Sequence, residues 1–189
     1  MANNKTIKIK FAHLKVAWFT LLTGLMLTAC VTTTTGGFTS TASDERAIED
    51  YVNLAVGYYD ADDLAGARRN ISNALEIDDR NSTIYNVLAL ILQREGDIRQ
   101  AQETFERAVS LDGDNARARN NYAALLFSIQ DFQEAYDQLE KVVSDSMYEG
   151  RAIAFENLGR SALMIGKIDE ATNAFQRALQ LNSNLYLSA

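Results

Sequence analysis

The chain has 189 residues, of which 47% are hydrophobic, so there is room for one ordinary domain and an N-terminal segment. The first 29 residues hold four lysines and no acid, and the remaining residues carry 14 Lys and Arg against 25 Asp and Glu. Such an acidic body argues against nucleic acid or anionic lipid as the main partner, because binding phosphate needs clustered Lys and Arg. Proline is absent, which suits a mostly helical chain.

Residues 1–29 are predicted to be a lipoprotein signal peptide. Four lysines precede an apolar stretch, Val16 to Leu27, that is too short to span a bilayer comfortably. The residues at its end, Leu27-Thr28-Ala29-Cys30, resemble the lipobox of bacterial lipoproteins, in which the cysteine is acylated and becomes the first residue of the mature protein. The alternative is an ordinary signal peptide followed by a coincidental cysteine.

Cys30 is the only cysteine, so no disulfide can form within the chain. Acyl chains on it would contribute about 0.8 kcal/mol per buried CH₂, and more than one chain gives stable anchoring. Val31 rather than Asp follows it, which by resemblance to the sorting rule of enterobacterial lipoproteins favours the outer membrane. The polar, aperiodic residues up to 43 are predicted to be a flexible Thr-rich tether, so that 30–43 links the anchor to the domain.

From residue 44 the sequence has helical periodicity and repeats itself. Ala67, Ala101, Ala135 and Ala171 occupy the same place in four similar segments, at intervals of 34, 34 and 36 residues. A period of 34 indicates stacked helical hairpins, each of which buries its apolar face only against its neighbours. The predicted helices cover about 44–60, 63–77, 82–95, 97–111, 115–129, 131–144, 149–165 and 167–181.

The positions within each segment resemble the tetratricopeptide repeat. Small residues recur on the first helix (Ala55, Ala89, Ala123, Gly159) and face large ones on the second (Ile71, Phe105, Leu139, Phe175). Leu54, Leu88, Tyr122 and Leu158 form a further core position, and the early aromatic position holds Tyr51, Tyr85 and Phe155 but Arg119 in the third copy. The predicted fold is therefore all-α, a right-handed superhelix of four helical hairpins over 44–182, and 183–189 are the start of an incomplete further repeat or a tail.

Little in the sequence suggests catalysis. The only histidine, His13, lies in the predicted signal peptide, and the only cysteine is predicted to be acylated, which leaves the mature body without the residues of Ser–His or Cys–His catalysis and of common zinc sites. Acidic residues at hairpin ends, such as Asp62, Asp63 and Asp112, are interpreted as helix caps rather than as an acid/base or calcium site. We expect no enzyme activity, metal or cofactor, and an Asp/Glu-based hydrolase is the alternative.

Asparagine recurs on the first helix of all four hairpins, which in tetratricopeptide arrays lines the concave side. Because an amide both donates and accepts hydrogen bonds, this series suits the backbone of a bound peptide. Solvation or capping of the helix surface is the alternative, and on the binding interpretation alanine at 120 and 121 would leave folding nearly intact. The predicted partner-binding residues are Asn53, Asn86, Leu90, Asn120, Asn121, Phe127, Asn157 and Arg160. Only Arg117 and Arg160 could serve a carboxylate clamp, so that subclass is not supported.

Residues 116–143 and 148–182 resemble the type IV pilus biogenesis/stability lipoproteins of the PilF/PilW type, through the segments NNYAALL and FENLG and the enlarged unit near Ser144–Gly150. The resemblance implies a non-catalytic lipoprotein on the periplasmic face of the outer membrane. It would act as pilotin, binding secretin subunits and promoting their localisation and multimerisation. The alternative is another periplasmic adaptor, for outer-membrane protein assembly or cell-wall synthesis. Neither nucleic acid nor a small-molecule substrate is expected.

Overall fold

The computed structural model describes the backbone of residues 40–187 and the side chains of residues 42–182. The predicted signal peptide, with Cys30 and most of the predicted tether, lies outside these residues. Within 40–187 there are eight helices and no strands. They are α1 (Ser40–Asp60), α2 (Leu64–Ile77), α3 (Ser82–Arg94), α4 (Ile98–Leu111), α5 (Ala116–Ser128), α6 (Phe132–Ser144), α7 (Arg151–Met164) and α8 (Ile168–Leu187).

These bounds confirm the all-α prediction, with differences at the two outer ends. α1 begins at Ser40, inside the stretch predicted to be a tether, because Ser40-Thr41-Ala42-Ser43 contains no residue that breaks a helix. α8 continues to Leu187, where the sequence analysis predicts an end near residue 181. No helix of the described part of the chain is both long enough and apolar enough to cross a membrane.

Aspartates start the second helices of the first three hairpins. The side chains of Asp63, Asp97 and Asp131 each accept a hydrogen bond from the backbone N–H three residues later. An N-cap of this kind pairs one of the backbone donors that the first helical turn leaves without an acceptor. Of the acidic residues predicted to cap helices, Asp63 is such an N-cap, whereas Asp112 is the C-cap residue of α4 and Asp62 lies in the turn before Asp63.

The turn between the two helices of every hairpin contains one residue with positive φ. These residues are Asp62, Gly96, Gln130 and Gly166, with φ of 61°, 86°, 67° and 80°. Glycine adopts this conformation without the clash that a Cβ introduces, which explains its use at two of the four turns. Asp62 and Gln130 adopt it at some energetic cost because the same tight turn is needed to bring their two helices together.

Small residues at the repeated positions let the two helices of a hairpin pack closely. Ala67, Ala101 and Ala135 are fully buried, and Ala171 is 1% exposed. On the facing first helices Ala55, Ala89 and Ala123 are also fully buried. Large side chains (Ile71, Phe105 and Leu139) fill the space beside them and are themselves at most 1% exposed. This alternation of small and large residues is how ridges enter grooves between helices, and it confirms the predicted core register.

The hairpins stack through apolar clusters shared between neighbours. Phe105 of α4 packs on Tyr122 of α5 with ring centroids 6.0 Å apart, and Leu139 of α6 belongs to the same cluster as Phe155 and Leu158 of α7. The first helices also contact one another directly, α3 with α5 and α5 with α7. The first helices therefore line up along one side of the array, as they do in repeat proteins whose units contact only their neighbours.

Leu54 is a correction to the predicted core. Tyr122 and Leu158, its counterparts in later hairpins, are 5% and 8% exposed, whereas Leu54 is 52% exposed. In the later hairpins this position packs on the preceding hairpin, as Tyr122 does on Phe105. Leu54 lies on α1, the first helix of the described array. No hairpin of the described residues precedes it, so Leu54 lacks the packing partner that the repeat pattern predicts.

Two glycines within first helices provide a test of this packing. A Cβ at Gly159 would lie 2.7 Å from the Phe175 ring, whereas a Cβ at Gly57 would meet nothing within 4 Å. We expect Gly57→Ala to raise the free energy of unfolding by about 0.5–1 kcal/mol through helix propensity. Gly159→Ala should lower it by about 1 kcal/mol or more through overpacking. Urea denaturation followed by circular dichroism measures both, and equal changes in the two variants would contradict the register.

Candidate functional site

Three connected cavities form a groove along the first helices. The largest, which we call the first pocket, has a volume of about 780 Å³, and it is joined to a middle pocket of about 400 Å³ through the shared residues Tyr59, Leu90 and Asn121. The middle pocket shares Ala124 with a third cavity of about 220 Å³, which reaches Arg160 and Ser161 on α7. These shared residues make the groove continuous from the first hairpin to the fourth.

The groove contains most of the residues predicted to bind a partner. Asn53, Asn86, Leu90 and Asn121 line the first pocket. Phe127, Asn157 and Arg160 line the third cavity, which we call the Ser161 pocket. Asn120 is the exception: it lines none of these cavities, and its Oδ1 is buried without a hydrogen-bond partner. It lies behind the groove surface because the helix turns its side chain about 100° from that of Asn121.

Two of the recurring asparagines pair with each other. The amide of Asn121 on α5 donates a hydrogen bond of 2.9 Å to Oδ1 of Asn86 on α3, and Asn86 is only 2% exposed. The corresponding positions one hairpin earlier are Val52 and Val87, which are buried in the apolar cluster of the first two hairpins. This pair therefore connects adjacent hairpins as a structural contact, and it occupies hydrogen-bonding groups that the sequence analysis assigns to a partner.

The first pocket has an acidic rim around an apolar floor. Glu45, Glu49, Asp60 and Asp78 line it together with a single cation, Arg117. Ile48, Val52, Val56 and Leu90 supply its apolar surface. The sequence does not group these acids into one site, although the net charge of the body predicts acidic surface somewhere, because Asp78 at the end of α2 lines the same cavity as Glu45, Glu49 and Asp60 of α1 only in the folded hairpin. The rim favours a ligand segment that combines apolar side chains with positive charge.

Arg94, the cation that lines the middle pocket, already contacts side chains of the first hairpin. Arg94 lies with its guanidinium carbon 4.2 Å from the centroid of the Tyr59 ring, and it donates a 3.2 Å hydrogen bond to Asp62. The hydrogen-bonding and charge interactions with Tyr59, followed by those with Asp62, raise the pKa of Arg94. Arg94 therefore holds the edges of hairpins one and two together, beside a pocket surface in which Leu90 and Ala124 alternate with the amides of Gln93 and Asn121.

The tyrosines with shifted pKa values belong to the helix packing. Burial, and then a hydrogen bond to Glu106, raises the pKa of Tyr122 well above its ordinary value of 10. Burial and a hydrogen bond to Glu140 raise the pKa of Tyr136 to about 12. Both hydroxyls therefore stay protonated at neutral pH and donate to a carboxylate. Among the described residues no group of three or more His, Cys, Asp and Glu is placed to hold a metal ion.

The Asn86–Asn121 pair gives a testable correction, because the sequence analysis expects alanine at 121 to leave folding nearly intact. Asn121→Ala should lower the free energy of unfolding by about 1–3 kcal/mol, since it leaves the buried Oδ1 of Asn86 without its donor. Asn157→Ala is the matched control and should change stability little, because the Asn157 side chain makes no hydrogen bond within residues 42–182. The double variant Asn86→Val with Asn121→Val should recover most of the loss by reproducing the Val52–Val87 contact. Equal melting of the two alanine variants would show that the pair is not structural.

Comparison with known proteins agrees with this architecture. The tetratricopeptide repeat family model matches residues 92–146. Among solved structures, PilF of Pseudomonas aeruginosa is similar with 32% identity and a TM-score of 0.72, over 75% of this chain and 64% of that one. PilW, described as a widely conserved type IV pilus biogenesis factor, is similar with 28% identity and a TM-score of 0.66, over 71% of this chain and 62% of that one.

MamA shares the fold at 21% identity, with a TM-score of 0.63 over 77% of this chain and 84% of that one. No curated protein sequence matches the chain. The chain thus spans less than two thirds of the PilF and PilW structures that it resembles. The resemblance to pilus biogenesis proteins that the sequence indicates is confirmed at the level of structure. The chain thus has the all-α fold of tetratricopeptide-repeat arrays and is similar to PilF and PilW.

Proposed function

We propose that this protein is a non-catalytic outer-membrane lipoprotein that serves type IV pilus biogenesis as a pilotin, binding secretin subunits through its groove. The observation that carries the proposal is the likeness to PilF and to PilW, a type IV pilus biogenesis factor, at 32% and 28% identity. The sequence resemblance in NNYAALL and FENLG points to the same family. Secretin localisation and multimerisation are the activities that this resemblance implies.

The groove supports a role in binding a polypeptide segment. Its three cavities are open and connected and run across four hairpins, a shape that suits an extended or helical segment better than a compact metabolite. Val56, which lines the first pocket, is 39% exposed, and Leu163, which follows the Ser161 pocket on α7, is 47% exposed. Exposed apolar residues beside amides and charges are typical of surfaces that bind protein partners.

The lipid anchor would place this groove close to its partner. The Leu27–Cys30 lipobox supports acylation of Cys30, and Val31 supports sorting to the outer membrane. A lipid-anchored adaptor of this kind needs no chemistry of its own, since it holds the partner segment near the membrane into which that partner inserts. The tetratricopeptide fold, whose members generally act as adaptors, supports the same conclusion.

A groove variant tests the secretin interaction. Val56→Glu places a charge on the apolar floor of the first pocket, beside four carboxylates, and should abolish copurification of secretin from detergent-solubilised envelopes. Ile98→Glu is the matched control, because Ile98 is 36% exposed and lines none of the three cavities. Deleting the gene should remove secretin multimers and twitching motility. Intact multimers in the deletion strain would overturn the proposal, and copurification of outer-membrane assembly or cell-wall synthesis proteins without secretin would identify the alternative adaptor role.

Two substitutions near the lipobox test the anchor. Cys30→Ala should abolish incorporation of labelled palmitate, because the acylated thioether can no longer form. Val31→Asp should keep the label but move the protein to the inner-membrane fraction of a sucrose gradient, by the sorting rule that the resemblance implies. Palmitate labelling of the Cys30→Ala protein, or outer-membrane sedimentation of an unlabelled wild-type protein, would rule out this mode of anchoring.

A further inference from the structure

The fourth hairpin breaks the core pattern at one position of its first helix. Ile91, Leu125 and Ser161 occupy equivalent places on α3, α5 and α7, at the intervals of 34 and 36 residues found for the repeated alanines. All three are fully buried. In two hairpins a large apolar side chain fills the space between neighbouring hairpins, whereas serine is much smaller. The Ser161 pocket, about 220 Å³ and reaching Leu139 of the preceding hairpin, lies where that side chain is missing.

The Ser161 hydroxyl is buried, yet it has no hydrogen-bond partner. A serine within a helix commonly bonds to the carbonyl one turn earlier, and Ser161 does not, although Ser128 and Ser144 both donate to carbonyls of their own helices. A serine with an unpaired hydroxyl at this position lowers the free energy of unfolding in two ways. The hydroxyl is desolvated without gaining a hydrogen bond, and the small side chain leaves unfilled the volume that Ile or Leu occupies in the other hairpins. Such a residue is expected where a ligand supplies the missing partner.

Three side chains that line the pocket can donate hydrogen bonds into it. Ser161 offers its O–H, Asn157 offers its amide N–H groups, and Arg160 offers its guanidinium, whose carbon lies 4.6 Å from the centroid of the Phe127 ring. Arg160 is exposed and forms no ion pair with any residue in 42–182. No Asp or Glu lines this pocket, whereas four carboxylates line the first pocket. Donors and positive charge without a competing acid are what a carboxylate requires.

We propose that the Ser161 pocket binds the side-chain carboxylate of an Asp or Glu within the partner segment. Arg160 pairs with its charge, and Ser161 and Asn157 donate hydrogen bonds to its oxygens. The carboxylate belongs to a side chain rather than to a C-terminus, because Leu163 and Met164, which follow Ser161 on α7, are exposed apolar residues available to a segment that continues past the pocket. This inference rests on the proposed peptide-binding role of the groove.

The pocket also sets the orientation of the segment. Acidic residues are repelled at the first pocket, where Glu45 and Asp60 lie, and attracted at Arg160. The bound segment therefore has its acid at the fourth hairpin and its apolar or basic residues at the first. The amides of the groove alone would bind a segment in either orientation. The charges favour one of the two orientations.

Peptide arrays test this without reference to secretin. The full-length protein in detergent is bound to two arrays of random twelve-residue peptides, one with amidated and one with free C-termini, in parallel with a Ser161→Leu variant. We expect Asp or Glu to be enriched at one internal position of amidated peptides bound by the wild-type protein. Ser161→Leu fills the pocket with the residue found at 125, so it should fold normally and lose that enrichment. Enrichment confined to free C-termini, no enrichment, or equal enrichment by both proteins would overturn the proposal.

Fluorescence anisotropy with the best amidated peptide then measures the contact. Replacing its acid by Gln should weaken binding to the wild-type protein about tenfold or more, the effect of removing a charge-assisted contact. The same replacement should have little effect on Arg160→Gln, which tests the contact if Ser161→Leu fails to fold. Arg160→Lys should lie between the two. If the acid matters equally in wild-type and Arg160→Gln proteins, the carboxylate binds elsewhere.

The two proposals fail in distinguishable ways. Loss of acid selectivity on the arrays removes the carboxylate site but leaves secretin copurification to be decided by Val56→Glu. If secretin does not copurify while the arrays still select an internal acid, the site stands and the partner is another protein with an acidic segment.

Discussion

The close approach of two helices at fully buried alanines is the contact on which the rest of this structure depends. Ala67, Ala101 and Ala135 allow their helices to pack against Ala55, Ala89 and Ala123, and the left-handed residue at each turn closes the hairpin. Because each hairpin has the same internal spacing, successive hairpins stack in the same way and bring their first helices together along one side. The groove is therefore a consequence of core packing, and it exists before any partner binds.

Once the stack is formed, the residues along the groove have different roles although they recur with the same period. Asn86 and Asn121 join two hairpins, whereas Asn53 and Asn157 face open cavities. Four acidic residues line the first pocket, whereas Arg160 lines the Ser161 pocket. The scaffold is thus close to uniform along its length, while the charge and volume of its groove are not. This unevenness is the basis of the selectivity that we propose for the groove.

The core residues of a repeat depart most from the repeat pattern where the neighbouring element is not another repeat. Leu54 is exposed because α1 begins the described array, and Ser161 replaces a buried Ile or Leu in the hairpin that follows the enlarged Ser144–Gly150 unit. Core positions that abandon the consensus lose packing energy, so they indicate either an end of the stack or a place where a ligand makes up the loss. The first explanation suits Leu54, and the second underlies the proposal for Ser161.

The sequence alone determined the eight helices, the hairpin register and the buried alanines, because these depend on local periodicity and on contacts that repeat every 34 residues. It also placed seven of the eight predicted groove residues on one surface. Only the tertiary structure decided that Asn86 pairs with Asn121, that Asn120 lies behind the groove, and that Ser161 borders a cavity. These features depend on how the side chains of two different hairpins fill the space between them. The repeat period in the sequence gives the position of each side chain within its own hairpin, but not its distance from side chains of the next one.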